Sequence, residues 1–100
     1  MTDASPGLMS AVRRKLSITW DDEGTDARLH DVVEAVSPRL ASLLGYESWH
    51  VFDPADGMAW GLFLNACLYE FSDAWDDFES NYASEILSVR TYVAGVGADA

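Results

Sequence analysis

The segment from Pro54 to Phe71 constrains the fold most, because nearly every residue after its first few is apolar. Asp53 is a suitable N-cap, and Pro54 suits the first helical position, where its missing N–H would be unpaired in any case. Wrapped at 3.6 residues per turn, the segment is apolar on all sides, so all sides must be covered. It is shorter than the about 20 apolar residues that span a bilayer. We therefore expect a central helix covered by its neighbours or partly by another subunit.

The central helix is predicted to cover residues 54–79, because Trp75 and Phe78 continue its stripe. A first helix is predicted to begin at Ser5 and Pro6, and a last helix to follow Asn81 as its N-cap. A second helix runs from a turn over 17–25 to Leu44. The apolar stripes of these three helices are Leu8, Met9, Val12 and Leu16; Leu29, Val32, Val33, Val36, Leu40, Leu43 and Leu44; and Tyr82, Ile86, Val89 and Val93.

Proline and glycine predict a bend and two helix ends. Pro38 interrupts the second helical pattern, where it removes one hydrogen bond and predicts a kink. Gly45 is expected to end that helix as a C′ glycine. Gly95 and Gly97 are expected to end the last helix.

These elements predict an all-α, four-helix bundle-like single domain with short loops over residues 1–100. Residues 1–4 and 95–100 are expected to be flexible tails. Ile18 and Trp20 are expected to pack into the core from the turn before the second helix.

Charge excludes several classes of partner. The chain carries a formal net charge of −11, and most of the excess lies in its second half, where Arg90 is the one basic residue. Such a surface repels phosphates, which argues against ordinary nucleic-acid binding and against docking on anionic lipid. The first ten residues lack the pattern of a signal peptide, and Cys67 reads as a small buried hydrophobe, so we expect a cytosolic setting.

No catalytic, cofactor or metal motif is apparent, and we expect no enzyme and no cofactor. Asp76 and Asp77 are adjacent and diverge by about 100° on a helix, so they form no carboxylate pair. The acids of Asp21–Glu23 lack the spacing of a calcium loop. His30 and His50 have no partner at ligand spacing and are expected to be structural or surface residues.

Three stretches resemble the head–tail connector proteins of tailed phages, also called head-completion or adaptor proteins. They are KLSITWDDEGTDARLHDVVE, DPADGMAWGLFLNACLYEF and DAWDDFESNYASEILSVR, and FESNYASEILSVR is the most specific part. Together they cover about residues 8–92.

The resemblance implies an α-helical virion subunit made in the host cytoplasm. Copies would form a ring of about twelve-fold symmetry, matching the portal, at the head–tail junction. The ring would contact the portal and a tail-side stopper or tail-completion protein. DNA would pass through its channel, and no membrane or cofactor would be involved.

Three sets of residues are candidates for these contacts, each with an alternative. A contact that closes a ring buries two different faces of every subunit, although a monomeric bundle could also hide the apolar groups. Exposed acids could line the channel and repel DNA, or simply keep the chain soluble. Basic residues could dock an acidic partner, or compensate the helix dipole. The subunit-contact set is Trp49, Phe52, Trp60, Phe63, Leu64, Leu68 and Trp75; the channel set is Asp73, Asp76, Asp77 and Glu79; the docking set is Arg13, Arg14 and Lys15.

Tyr46, Trp49 and Phe52 could plug the end of a bundle instead of forming a contact surface.

Two alternatives to the connector stay open. An acidic DNA-mimic inhibitor of a DNA-binding protein would also be small and negative, but its carboxylates should be regularly spaced, and these cluster at helix ends. The other alternative is a generic helical adaptor protein with no phage role.

Overall fold

The computed structural model describes residues 6–16 and 23–99, which form five α-helices and one 3₁₀ helix, with no strand in those ranges. The all-α prediction is confirmed. The elements are α1 (Pro6–Lys15), α2 (Glu23–Leu44), a 3₁₀ helix (Pro54–Asp56), α3 (Met58–Phe71), α4 (Trp75–Asn81) and α5 (Ala83–Asp99).

Helix α3 lies at the centre, and it packs against α1, α2, α4, α5 and the 3₁₀ helix. Its most deeply buried residues lie on one broad face: Ala59, Leu62, Phe63, Ala66 and Cys67. The opposite side is only partly covered, since Trp60, Leu64 and Leu68 keep intermediate exposure. A single copy therefore covers this apolar helix incompletely.

The prediction of one helix over 54–79 is wrong, because the chain turns twice within that range. Asp53 is an N-cap as expected, but it caps the 3₁₀ helix, through a capping box with Asp56. Gly57 then adopts φ 64°, which separates the 3₁₀ helix from α3. Asp73 adopts φ 58°, which ends α3 before α4 begins.

Asp73 ends α3 through a Schellman arrangement. The N–H of Ala74 donates to the carbonyl of Tyr69 at 2.8 Å, and the N–H of Asp73 donates to that of Glu70 at 3.0 Å. Aspartate is one of the few non-glycine residues that enter the left-handed region readily, which explains why glycine-based boundary prediction overlooks this site.

Gly45 ends α2 in the same way and confirms its prediction as a C′ glycine. It adopts φ 91°, and the N–H of Tyr46 donates to the carbonyl of Ala41 at 2.8 Å. Pro38 lies inside α2 without ending it. The apolar stripe of α2 is buried as predicted, apart from the partly buried Leu43.

The boundaries predicted for the last helix are wrong at both ends. Asn81 is the last residue of α4 rather than an N-cap, and its side chain donates to the hydroxyl of Tyr69 at 3.3 Å. Helix α5 continues through Gly95 to Asp99, so most of the predicted flexible tail is helical. Gly95 lacks the positive φ that terminates α2 at Gly45, and a glycine without it can remain inside a helix.

The core joins all five helices and the loop residue Phe52. In residues 6–16 and 23–99, no polar or charged residue is fully buried. Cys67 is fully buried, as predicted. Ile18, Trp20, Ser5 and the acids at 21–22 lie outside the described residues, so those predictions stay open. Within the described ranges, no helix has the length and hydropathy that crossing a bilayer requires.

Candidate interaction surfaces

A groove runs between α1 and α3 and is closed at one end by the loop before the 3₁₀ helix. We call it the α1–α3 groove. It is lined by Gly7, Leu8, Ala11, Arg14, Lys15, Val51, Phe52, Asp53, Pro54, Trp60 and Leu64.

The groove encloses about 650 Å³ and opens to solvent along its length.

The α1 side of the α1–α3 groove is basic, its floor is apolar, and Asp53 adds one exposed carboxylate on the loop side. Arg14 and Lys15 are exposed at the rim, while Trp60 and Leu64 are half-buried below them. Within residues 6–16 and 23–99, neither Arg14 nor Lys15 forms an ion pair with a carboxylate. The groove therefore combines two available cations with partly uncovered apolar side chains.

The three residues of the docking set separate in the structure. Arg13 forms an ion pair with Asp26, which ties α1 to the first turns of α2. Arg14 and Lys15 instead line the α1–α3 groove. Arg13 thus has an internal structural contact, and the other two remain available to a partner.

The seven residues of the subunit-contact set also separate. Phe52, Phe63 and Trp75 are buried within their own chain, with 1%, 0% and 6% exposure, so we correct their assignment from contact surface to core. They are buried because their rings pack inside the chain: Phe52 stacks on Phe63 at 5.3 Å, and Trp75 lies 5.1 Å from Phe78. Trp49 is 70% exposed. Trp60, Leu64 and Leu68 are partly exposed.

The turn between α3 and α4 gathers exposed carboxylates. We call it the acidic corner and define it by Glu70, Asp73, Asp76 and Asp77, which surround a shallow depression together with Ala74 and Trp75. Three of these acids are exposed, and Glu70 is half-buried. Glu79 is also exposed, but its carboxylate accepts a hydrogen bond from the indole N–H of Trp75.

Two arginines of α2 hold the segment that carries the acidic corner. Arg28 lies 4.4 Å from the centre of the Phe71 ring and donates to the backbone carbonyl of Phe71. Arg39 lies 4.3 Å from the centre of the Trp75 ring and 3.8 Å from the carboxylate of Glu70. These arginines cannot be recognised from the sequence, because nothing in the spacing along α2 indicates which aromatic rings they reach.

A second groove lies between α5 and the start of α3, and no pattern in the sequence indicates it. It encloses about 590 Å³ and is lined by Tyr46, Ala55, Asp56, Gly57, Met58, Ala59, Ser88, Val89 and Tyr92. Burial, followed by the nearby Asp56 and Tyr92, raises the pKa of the Tyr46 hydroxyl.

His50 lies beside this second groove and makes two contacts within the chain. Its ring stacks on Tyr46 at 4.1 Å, and its Nε2 lies 3.1 Å from the carboxylate of Asp56. The same carboxylate accepts the backbone N–H of Asp53 in the capping box. His50 therefore helps to hold the loop against the 3₁₀ helix. Within the described part of the chain, no three potential ligand side chains converge on a metal site.

The surface also carries large exposed apolar side chains, three of which line the grooves: Val51 lines the α1–α3 groove, and Met58 and Tyr92 line the second groove. Their exposed fractions range from 42% to 71%. They are Trp49, Val51, Met58, Leu87 and Tyr92.

The fold and these surfaces define a small, acidic, all-α domain with two open grooves, an acidic corner and several exposed apolar side chains. No protein-family model matches the chain, and no curated protein or solved structure matches it.

Proposed function

We propose that this chain is a structural protein that assembles with its own copies into a ring and acts as a head–tail connector of a tailed phage. The observation that carries the proposal is incomplete cover of apolar surface by a single copy. Trp49 and Tyr92 are each about 70% exposed, and one side of α3 is only partly covered by its neighbours. Large apolar groups of this kind are enriched at protein contacts.

The distribution of charge supports a contact between two unlike faces. The α1–α3 groove includes residues from the first half of α3, whereas the acidic corner lies at the C-terminal end of α3, from Glu70 onward. Trp60 and Phe71, the last residue of α3, are separated by about 16 Å along the helix, at 1.5 Å per residue. A subunit with two different, separated contact faces can form a head-to-tail arrangement, and such an arrangement becomes a ring when its rotation closes.

The acidity is compatible with DNA passing through the ring. Asp73, Asp76, Asp77 and Glu79 are exposed, and the chain as a whole is strongly negative. Repetition of acids around a channel would repel the duplex and prevent it from binding during passage.

A DNA-mimic inhibitor accounts for the net charge but less well for the arrangement of the acids. A mimic needs carboxylates spread along one surface, whereas Asp73, Asp76 and Asp77 lie within one short turn and the first turn of α4. The connector proposal accounts for both the acids and the exposed apolar residues.

The proposal is tested by mixing the purified chain with the portal ring of the phage that encodes it, followed by electron microscopy. We expect an added layer of density with the symmetry of the portal. A portal that stays bare at saturating concentrations of the chain contradicts the proposal. Salt-sensitive binding to a DNA-binding protein, with no binding to the portal, would favour the mimic instead.

A further inference from the structure

We infer that the α1–α3 groove of one copy receives the acidic corner of the next copy. This contact rests on the proposed function, because it would join neighbouring subunits of the ring. The groove supplies a basic rim and an apolar floor, and the occupant must therefore be an acidic segment with some apolar surface.

Charge complementarity identifies the occupant as a second copy. Arg14 and Lys15 are exposed at the rim of the groove, and Asp73, Asp76 and Asp77 are exposed at the corner. Opposite charges placed across a contact align the partners and suppress other pairings. In a chain with a net charge of −11, most approaches between copies are repulsive, so the approach that brings these two patches together is strongly favoured over the others.

The apolar parts of the two surfaces are also complementary. Trp60 and Leu64 are half-buried in the groove, and Val51 is 42% exposed beside them. At the corner, Ala74 remains partly exposed, and the partly exposed Phe71 lies beside it under Arg28. Burial of these groups would add a salt-independent contribution to the contact.

The shape of the corner is fixed before the contact forms. Asp73 is held in the left-handed region by the Schellman hydrogen bonds, and Arg28 and Arg39 pack over Phe71 and Trp75. A segment that is already ordered loses little conformational entropy when it binds. In this arrangement Asp73, Asp76 and Asp77 serve the contact between subunits rather than the channel, and Glu79 is the member of the channel set that is left for the channel wall.

The test uses two charge-reversed variants of the full chain. The groove variant carries Arg14→Glu and Lys15→Glu, and the corner variant carries Asp76→Lys and Asp77→Lys. Sedimentation equilibrium at up to about 1 mM protein measures the dissociation constant of each, alone and mixed. We expect wild-type chains to associate, and each variant alone to associate at least about tenfold more weakly.

Mixing the two variants is the decisive step. Each variant alone brings like charges together, but in the mixture the reversed groove faces the reversed corner, and the unchanged groove faces the unchanged corner. We expect the mixture to recover the wild-type association. We also expect the wild-type association to weaken as salt rises from about 50 mM to about 500 mM, because the complementary charges are screened.

A matched control separates this contact from an effect of net charge. Asp31→Lys with Glu34→Lys changes the net charge as the corner variant does, at two exposed positions of α2. Reduced net repulsion alone would make both variants associate more strongly. We expect the control to associate more strongly than the wild type, and the corner variant to associate more weakly.

Three outcomes would overturn the inference. They are the absence of association of the wild-type chain, equal association of wild type and both variants, and failure of the mixture to recover association when circular dichroism shows both variants folded. None of them decides the proposed function, which depends on whether the chain co-assembles with the portal.

Discussion

The guanidinium of Arg39 lies 4.3 Å from the centre of the Trp75 ring, and this contact joins α2 to the acidic corner. Trp75 is 6% exposed, and its indole N–H donates to Glu79 within the same helix. Arg39 also approaches Glu70 at the end of α3. One side chain of α2 therefore contacts the residues on both sides of the turn at 72–74.

Replacement of this arginine tests the contribution of the contact to stability. We expect Arg39→Ala to lower the free energy of unfolding by about 0.5–1 kcal/mol, because it removes a cation–π contact at a partly exposed site. Urea denaturation followed by tryptophan fluorescence measures the change. Arg90→Ala, at an exposed position of α5, is the control and should change stability by less than about 0.5 kcal/mol. Equal effects of the two substitutions would show that the contact of Arg39 with the Trp75 ring contributes nothing to stability.

Because Asp73 is held in the left-handed conformation, its replacement by glycine is expected to stabilise the protein, although most substitutions destabilise. Asp73→Gly should raise the free energy of unfolding by about 0.5–1 kcal/mol, because glycine adopts a φ of 58° without a steric cost. The same change at Asp76, in the first turn of α4, should be destabilising, because glycine disfavours a helix and the carboxylate favours its N-terminus. Thermal denaturation of both variants checks the pair. A loss of stability in Asp73→Gly would refute the argument from backbone strain.

Two aromatic residues of one loop should respond in opposite ways. Phe52 is 1% exposed and stacks on Phe63, so Phe52→Ala should cost about 3–5 kcal/mol of stability. Trp49 is 70% exposed, so Trp49→Ala should change stability by less than about 0.5 kcal/mol. If Trp49 lies at a subunit contact, its replacement should instead weaken assembly on the portal. Chemical denaturation and a portal-binding assay distinguish the two roles, and a large loss of stability in Trp49→Ala would contradict them.

The buried thiol predicts a loss of stability at high pH. Burial, with a smaller effect of Glu70, raises the pKa of Cys67 from 9.0 to about 12. Above pH 9 the unfolded chain releases the thiol proton while the folded chain keeps it, so folding becomes less favourable as pH rises. The expected loss approaches about 1.4 kcal/mol per pH unit up to the folded pKa.

The variant Cys67→Ala isolates this effect from the other groups that titrate in the same range. Urea denaturation at pH 8 and at higher pH, for wild type and for the variant, gives the difference in pH dependence. The wild-type chain should lose more stability than the variant. Parallel pH dependences would mean that the thiol ionises equally well in both states.

The sequence predicts the helical class well and the turns less well, for physical reasons. Stripes such as Leu29 to Leu44 specify a buried helix face, because apolar side chains at helical spacing can be covered together. Gly45 can be recognised as a helix end because glycine is the usual residue at that position. Asp73 cannot be recognised in the same way, because aspartate adopts the left-handed conformation less often.

For the candidate contact residues too, the sequence predicts the kind of residue but not its position in the folded protein. Composition indicates more apolar surface than a small core covers, but it does not indicate which aromatic residues are buried. Phe52 and Trp49 are three residues apart and look alike in the sequence, and only the packing of the loop against Phe63 separates them. The pairing of Arg39 with Trp75 likewise depends on how α2 and α4 each pack against α3.

The central claim is that the chain assembles with its own copies on a portal, and native mass spectrometry of the purified portal mixed with the chain tests it most directly. We expect a complex in which the number of bound chains equals the number of portal subunits, with no stable partial rings at saturation. A portal mass that does not change when the chain is added would contradict the claim.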